Sequence, residues 1–271
     1  MGWVNCEPRQ RQINFLIDEA DASGKGANSV VSMVHHYLEN YTFGETELVL
    51  HADNCAGQNK NSTMMWYLMW RCLTGLNERI TLSFLITGHT KFSPDRGFGL
   101  IKKKLKVTRV DCLQDIADVV KASSRSNTAL LVGAENGPTT VLTYDWSSGL
   151  SPFFSRVKAV KKYQHFSFTS DGILRCKEVV DQAVEDEQRL LKHGVVVSRR
   201  LPPVVPANGL DLRRQWYLHN EIRPFVEEYQ DRVAPKPTQP QPPVACEEEE
   251  REDPQPSATL KKRRKATPHP Q

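Results

Sequence analysis

No stretch of this 271-residue chain holds the roughly 18 to 20 consecutive apolar residues of a bilayer-spanning helix, so the expectation is a soluble protein. Met1-Gly2-Trp3-Val4-Asn5 does not open a basic-then-apolar secretory signal either, and no export is expected. Cys6, Cys55, Cys72, Cys112, Cys176 and Cys246 contain no C-x-x-C pair. Neither a disulfide framework nor a thiolate zinc site is therefore indicated, and reduced intracellular thiols are expected. Internal repeats are absent, as are zinc-finger and helix-turn-helix patterns. A phosphate-binding loop is missing too: at Gly24-Lys25-Gly26 a Walker spacing would need glycine where Glu19 stands and Ser or Thr where Gly26 stands. Those glycines instead suit a tight turn into a helix.

What is present is a chain 39% hydrophobic, enough for one sizeable core, with a formal net charge of +4. That charge permits a polyanionic partner without requiring one. From Pro235 the composition changes to a proline-rich stretch, an acidic block at Glu247 to Asp253 and a basic block Lys261-Lys262-Arg263-Arg264-Lys265. With little to bury, residues 235–271 are expected to be a disordered tail. Its basic block resembles a nuclear-import signal, so a nuclear location is expected, otherwise a cytoplasmic one.

Upstream, strands are expected at Gln12 to Ile17, Glu47 to Ala52 and Ile80 to Ile86. Helices are expected at Ala27 to Tyr37, Thr63 to Leu73 and Ser93 to about Lys104. This alternation predicts a mostly parallel sheet covered by helices, with functional groups at the carboxyl ends of the strands. Weaker patterns predict helices at Asp111 to Ala122 and Val179 to His193, a strand at Thr139 to Tyr144, and a last helix at Trp216 to Tyr229 interrupted at Pro224.

Two acids follow the expected strands. Asp53 lies in His51-Ala52-Asp53-Asn54-Cys55-Ala56-Gly57-Gln58-Asn59-Lys60-Asn61, and Asp95 in Gly88-His89-Thr90-Lys91-Phe92-Ser93-Pro94-Asp95. Each has a structural explanation, Asp53 as a strand-ending polar group beside turn and cap amides and Asp95 as a first-turn acid favoured by the helix dipole. Together, with Asn54, Gln58, Asn59 and His89 as supporting groups, they also suit a hard cation that needs converging oxygens. Beside such a site Lys60, Lys91, Lys102, Lys103 and Lys104 could neutralise a phosphate backbone. The adjacent pair His35-His36 cannot face one metal and is expected to pack or lie at the surface.

The blocks Phe15-Leu16-Ile17-Asp18-Glu19-Ala20-Asp21 with Gly24-Lys25-Gly26-Ala27-Asn28, His51 to Asn61, and Gly88 to Asp95 resemble a family of transposon-derived proteins. Asp145-Trp146, Trp216-Tyr217-Leu218 and Ile222-Arg223-Pro224 resemble its C-terminal part. The resemblance implies a DDE-type transposase catalytic domain: an α/β, ribonuclease H-like mixed sheet flanked by helices, with a helical C-terminal extension and the tail. Three acids would hold two Mg²⁺ or Mn²⁺ ions for DNA strand cleavage and transfer. Carried over, Asp53 is the second acid and Asp95 the third, both catalytic and metal-binding, and DNA is the partner.

The first acid belongs in a block resembling Phe-Asp-Tyr-Ala-Gln-Gln, which residues 1–17 lack. The first strand is therefore expected to be missing, which would leave the Asp53 strand with a bare hydrophobic edge. The expected organisation is a partial core at 1–110, an extension of the same domain at 111–234 and the tail. The expected function is a transposase-derived domain that is inactive or incomplete as it stands, or else a non-catalytic nucleic-acid or protein interaction module in the nucleus.

Overall fold

Strand β2 (Arg11–Ile17) shows how the chain divides its core, because its two faces are both buried yet chemically opposite. Ile13 and Phe15 enter the main hydrophobic core, whereas Gln12 and Asn14 are buried polar groups on the other face, where the Gln12 Nε2 amide donates to Asn14 Oδ1 at 3.0 Å. In the computed structural model, which describes residues 2–5, 11–85, 93–133 and 140–241, β2 is the middle of a three-stranded sheet. It pairs antiparallel with β1 (Gly2–Asn5) and parallel with β5 (Asn127–Val132).

Gly24, at φ +120°, turns the chain from β2 towards α1 (Ala27–Asn40). After α1, β3 (Glu47–Ala52) pairs parallel with β4 (Arg79–Phe84), and α2 (Ser62–Leu73) crosses between them. All of α2 from Thr63 to Cys72 is buried, so it lies at the centre, packed between α1 and β4. Beyond β4 the sheet continues antiparallel through β6 (His165–Phe168), β7 (Ile173–Lys177) and β8 (Asp186–Arg189), giving the order β3-β4-β6-β7-β8. The fold is thus mixed α/β, with mixed sheets flanked by helices.

The expected mostly parallel sheet holds only for the β2–β5 and β3–β4 pairs. Between β6 and β7 only residues 169–172 intervene, too few for a parallel crossover, and Gly172 at φ +75° closes the hairpin. The helix expected at Val179 to His193 is instead a turn followed by β8. Its charged residues pair across the sheet, Arg175 Nε with Glu187 Oε1 at 3.1 Å and Lys177 Nζ with Glu185 Oε1 at 3.3 Å. In the described part of the strand expected at Thr139 to Tyr144, only Tyr144 pairs, through a single bridge to Val204. The last expected helix breaks into the end of α6 (Leu212–Tyr217), a π turn at Leu218–Ile222 and a 3₁₀ turn at Arg223–Phe225 carrying the proline, and α7 (Gln230–Val233) follows it.

Helices α3 (Ser93–Leu105) and α4 (Leu113–Ser123) cover the polar face of the three-stranded sheet. Gly97 lets α3 come close to β2, since a methyl group there would overlap the Gln12 carboxamide. On the other side, α5 (Trp146–Leu150) is tied to α1 through Asn28, whose Oδ1 accepts from the Ser147 amide at 2.9 Å, and through one hydroxyl. Ser32 Oγ accepts from Trp146 Nε1 at 3.0 Å and from the Tyr144 amide at 2.9 Å. Trp146 is fully buried and, with Tyr67, Trp70 and Tyr144, forms an aromatic box around His35. Arg71 Nη1 donates to Tyr67 Oη at 3.1 Å, which leaves the hydroxyl to donate to His35 Nδ1 at 3.2 Å. Burial drives the His35 pKa down to about 4; Glu39 opposes the fall, and Arg71 and His36 add to it. His35 is therefore a neutral packing group. Cys55, Cys72, Cys112 and Cys176 are all free, and burial pushes the Cys72 and Cys176 thiols up to about 12.

Candidate functional site

Asp53 leaves β3 and enters a turn that its own amide-rich sequence folds. The Cys55 carbonyl accepts from the backbone amides of Gln58, Asn59 and Lys60 at 3.2, 2.8 and 3.1 Å. Within that turn, Asp53 Oδ1 accepts from Asn59 Nδ2 at 2.6 Å and from the Cys55 amide at 3.2 Å, so buried Asn59 aims an exposed carboxylate. Asn54 Nδ2 donates to the Leu85 carbonyl, tying the turn to the end of β4. Asn61 caps α2 by accepting from the Met64 amide at 3.0 Å.

Lys60, expected on a nucleic-acid surface, is only 4% exposed. Its ammonium donates to Asn54 Oδ1 at 2.9 Å and Gln164 Oε1 at 3.3 Å and lies 4.9 Å from the Phe84 ring centre. Burial lowers its pKa. Lys60 is thus an internal brace of the Asp53 turn, a correction forced by three partners that converge only in the fold.

Asp95 stands in the first turn of α3, which Gly97 seats against β2. Asp53 and Asp95 line one cleft of about 1060 Å³. One wall is the end of β2 with Asp18 and Glu19, the opposite wall is β3 from Val49 to Asp53, and α1 supplies Val30, Met33 and Tyr37. Gln58 and Asn59 line it too, as do Pro94 and Phe98 of α3. Arg214 reaches this cleft from α6 and clamps Glu19, its Nη2 2.9 Å from Oε2 and its Nε 3.1 Å from Oε1. Asp18 Oδ1 accepts from the Ala20 amide at 2.8 Å. Asp18 was not among the expected site residues, although it follows an apolar strand just as Asp53 does; Arg214 gave no such signal.

These acids share a cleft without forming a cation cage. Among the described residues no group of three or more His, Cys, Asp or Glu side chains is placed to hold a metal ion. His89 and Lys91 lie outside the described residues, as do Lys261, Lys262, Arg263, Arg264 and Lys265. Lys102 and Lys103 are exposed and Lys104 half-buried, some 10–14 Å along α3 from Asp95 at about 1.5 Å per residue.

A second hollow, of about 540 Å³, lies on the outer face of the five-stranded sheet, lined by His51, Ser83, His165, Arg175 and Lys177 among others. Ser83 Oγ and His165 Nδ1 are 2.9 Å apart. Partial burial lowers the His165 pKa, and the nearby charges of His51 and Lys177 lower it further. Arg175 and Lys177 are already paired with acids.

No helix among the described residues is long and apolar enough to cross a membrane. No curated protein and no solved structure matches the chain. A family profile spanning residues 8–183 does match, taking in β2, the Asp53 turn, α3 and the antiparallel strands β6 and β7, and by that match the chain belongs to the family described as Domain of unknown function (DUF7869).

Proposed function

We propose that this chain is a transposase-derived domain of ribonuclease H-like descent that binds nucleic acid at the cleft without cutting it. The observation that carries this reading is the placing of Asp53 and Asp95 on one cleft, after a strand and on the first turn of a helix, with no metal-holding group of three acids, histidines or cysteines among the described residues. A ribonuclease H-like order would set one further strand between β1 and β3, where the two sheets each end in an edge. On this reading the donor set of the ancestral cleavage chemistry is incomplete, and no metal-dependent step is assigned. Lys102 and Lys103, exposed on the helix whose first turn holds Asp95, supply charge for a phosphate backbone. Import to the nucleus through Lys261–Lys265 would bring the domain to such a partner, and replacing the block with alanine in a fluorescent fusion tests that part.

The test of function pairs two assays on the purified chain. Plasmid nicking with Mg²⁺ or Mn²⁺ is expected to be absent, and Asp53→Asn should change nothing. Anisotropy of a labelled duplex should show binding that weakens steeply with salt, and the double variant Lys102→Ala, Lys103→Ala should flatten the slope by about two. Robust nicking abolished by Asp53→Asn would overturn the non-cleaving reading, and absence of duplex binding at low salt would overturn the nucleic-acid reading.

A further inference from the structure

Among the described residues, strand β3 has one neighbour. It pairs with β4 and closes one edge of the five-stranded sheet. Its free side can be read from the hydrogen bonds at its ends. The Thr46 carbonyl accepts from the Arg79 amide at 3.2 Å, and the Ala52 carbonyl from the Leu85 amide at 3.0 Å. In a parallel ladder the N–H and C=O of one residue point the same way and alternate residues point oppositely. The even positions therefore face β4, and the backbone groups of Glu47, Val49 and His51 face away from it.

That edge lacks the usual protections against pairing. Glu47–Ala52 contains no proline, no lysine and no bulge, its pairing register is unbroken over six residues, and Val49 is 68% exposed. Its inner side chains are also under-covered. Ile80, Leu82 and Phe84 of β4 are fully buried, yet their register partners Leu48, Leu50 and Ala52 are only half-buried. The difference is what a strand loses when one flank is bare.

The bare flank opens on the cleft. Opposite stand the end of β2 and the start of α3, with Val30, Met33 and Tyr37 of α1 between the walls. Such walls would obstruct the sheet of a second copy, whereas a single extended segment can enter. Alternate side chains of that segment would lie over Leu48, Leu50 and α1 and should be apolar. Four carboxylates, Asp18, Glu19, Asp53 and Asp95, line the cleft against Lys25 and Arg214, which favours a cationic residue at the segment's end.

The geometry points to a peptide-docking site: the cleft receives, by β-augmentation along β3, an extended partner segment of about six residues with apolar side chains at alternate positions and a basic end. This role does not rest on the nucleic-acid reading, and because both occupants would use the same cleft they should compete for it. The probe is a fluorescein-labelled Lys-Val-Thr-Val-Thr-Val-Lys peptide, basic at both ends so that either direction suits. It is titrated into the full chain by anisotropy, while hydrogen exchange is followed at the Val49 and His51 amides. Binding with at least tenfold slower exchange at both amides is expected. Val49→Pro removes an outward N–H without touching the β4 ladder and should weaken binding at least tenfold; Val49→Lys, gentler on folding, should weaken it less. No binding, equal binding to both variants, or unchanged exchange would overturn the proposal. Concentration-dependent dimerisation abolished by Val49→Lys would do so as well, because the occupant would then be a second copy. Duplex binding is measured on the same variants, so loss of one activity is not mistaken for loss of the other.

Discussion

Lowering the pH should weaken this fold through one histidine. His35 is enclosed by Tyr67, Trp70, Tyr144 and Trp146, and its pKa falls from an ordinary 6.5 to about 4. The native state therefore stays neutral at this ring while the unfolded chain takes up a proton. Stability rises with pH wherever the unfolded state binds more protons, so the contribution is complete above about pH 6.5 and lost as pH falls towards 4. Between pH 7.5 and 4.5 the two values imply a loss of about 2.5 kcal/mol, at about 1.4 kcal/mol for each tenfold change. His36, also lowered by burial, adds in the same direction. Asp111, Asp115, Asp145 and Asp171 are held below their ordinary 3.8 and so titrate beneath this window. Urea unfolding followed by tryptophan fluorescence at both pH values, on the parent and on His35→Phe, isolates the ring. The variant should lose most of the pH dependence. A variant that keeps it all would refute the assignment, and so would a His35 resonance titrating near 6.5 in the folded protein.

Lys60→Ala should lower stability by about 1–3 kcal/mol in thermal melts, because Asn54 Oδ1 and Gln164 Oε1 lose their donor. The same change should leave the salt slope of duplex binding unaltered, and a flattened slope would return Lys60 to the surface role. Trp146→Ala, removing one wall of the box, should cost about 3–5 kcal/mol by urea titration. Gly97→Ala should destabilise by about 1–3 kcal/mol despite alanine's better helix propensity, since the methyl meets the Gln12 carboxamide; a more stable variant would show that α3 does not lean on β2 there.

The first half of the fold was legible because its elements are long and periodic. β2, α1, β3, α2, β4 and α3 lie where apolar spacing put them. The helix expected at Asp111 to Ala122 is also present as α4 (Leu113–Ser123), but beyond it the pattern no longer decides. β6, β7 and β8 are four or five residues each, and their register comes from β4, about 80 residues away. β5 was not expected at all, although it completes the parallel pair with β2. Within the cleft, the rule that acids gather at the ends of strands located Asp53 and Asp95. It could not foresee the Glu19–Arg214 clamp, whose partners are 195 residues apart. Nor could it bury Lys60, since a lysine is normally exposed and Gln164 comes from 104 residues downstream.

The two sheets share no backbone ladder among the described residues, so their separation is set by the helical layer beneath them, where α1 meets α2 and Ser32 holds the Tyr144–Trp146 segment. That arrangement makes the cleft an aperture whose width is governed from behind. A bulkier or smaller residue at the α1–α2 contact would spread or close the walls without altering any group that an occupant touches. Related sequences could thus change what they admit while keeping Asp53, Asp95 and the whole β3 edge intact.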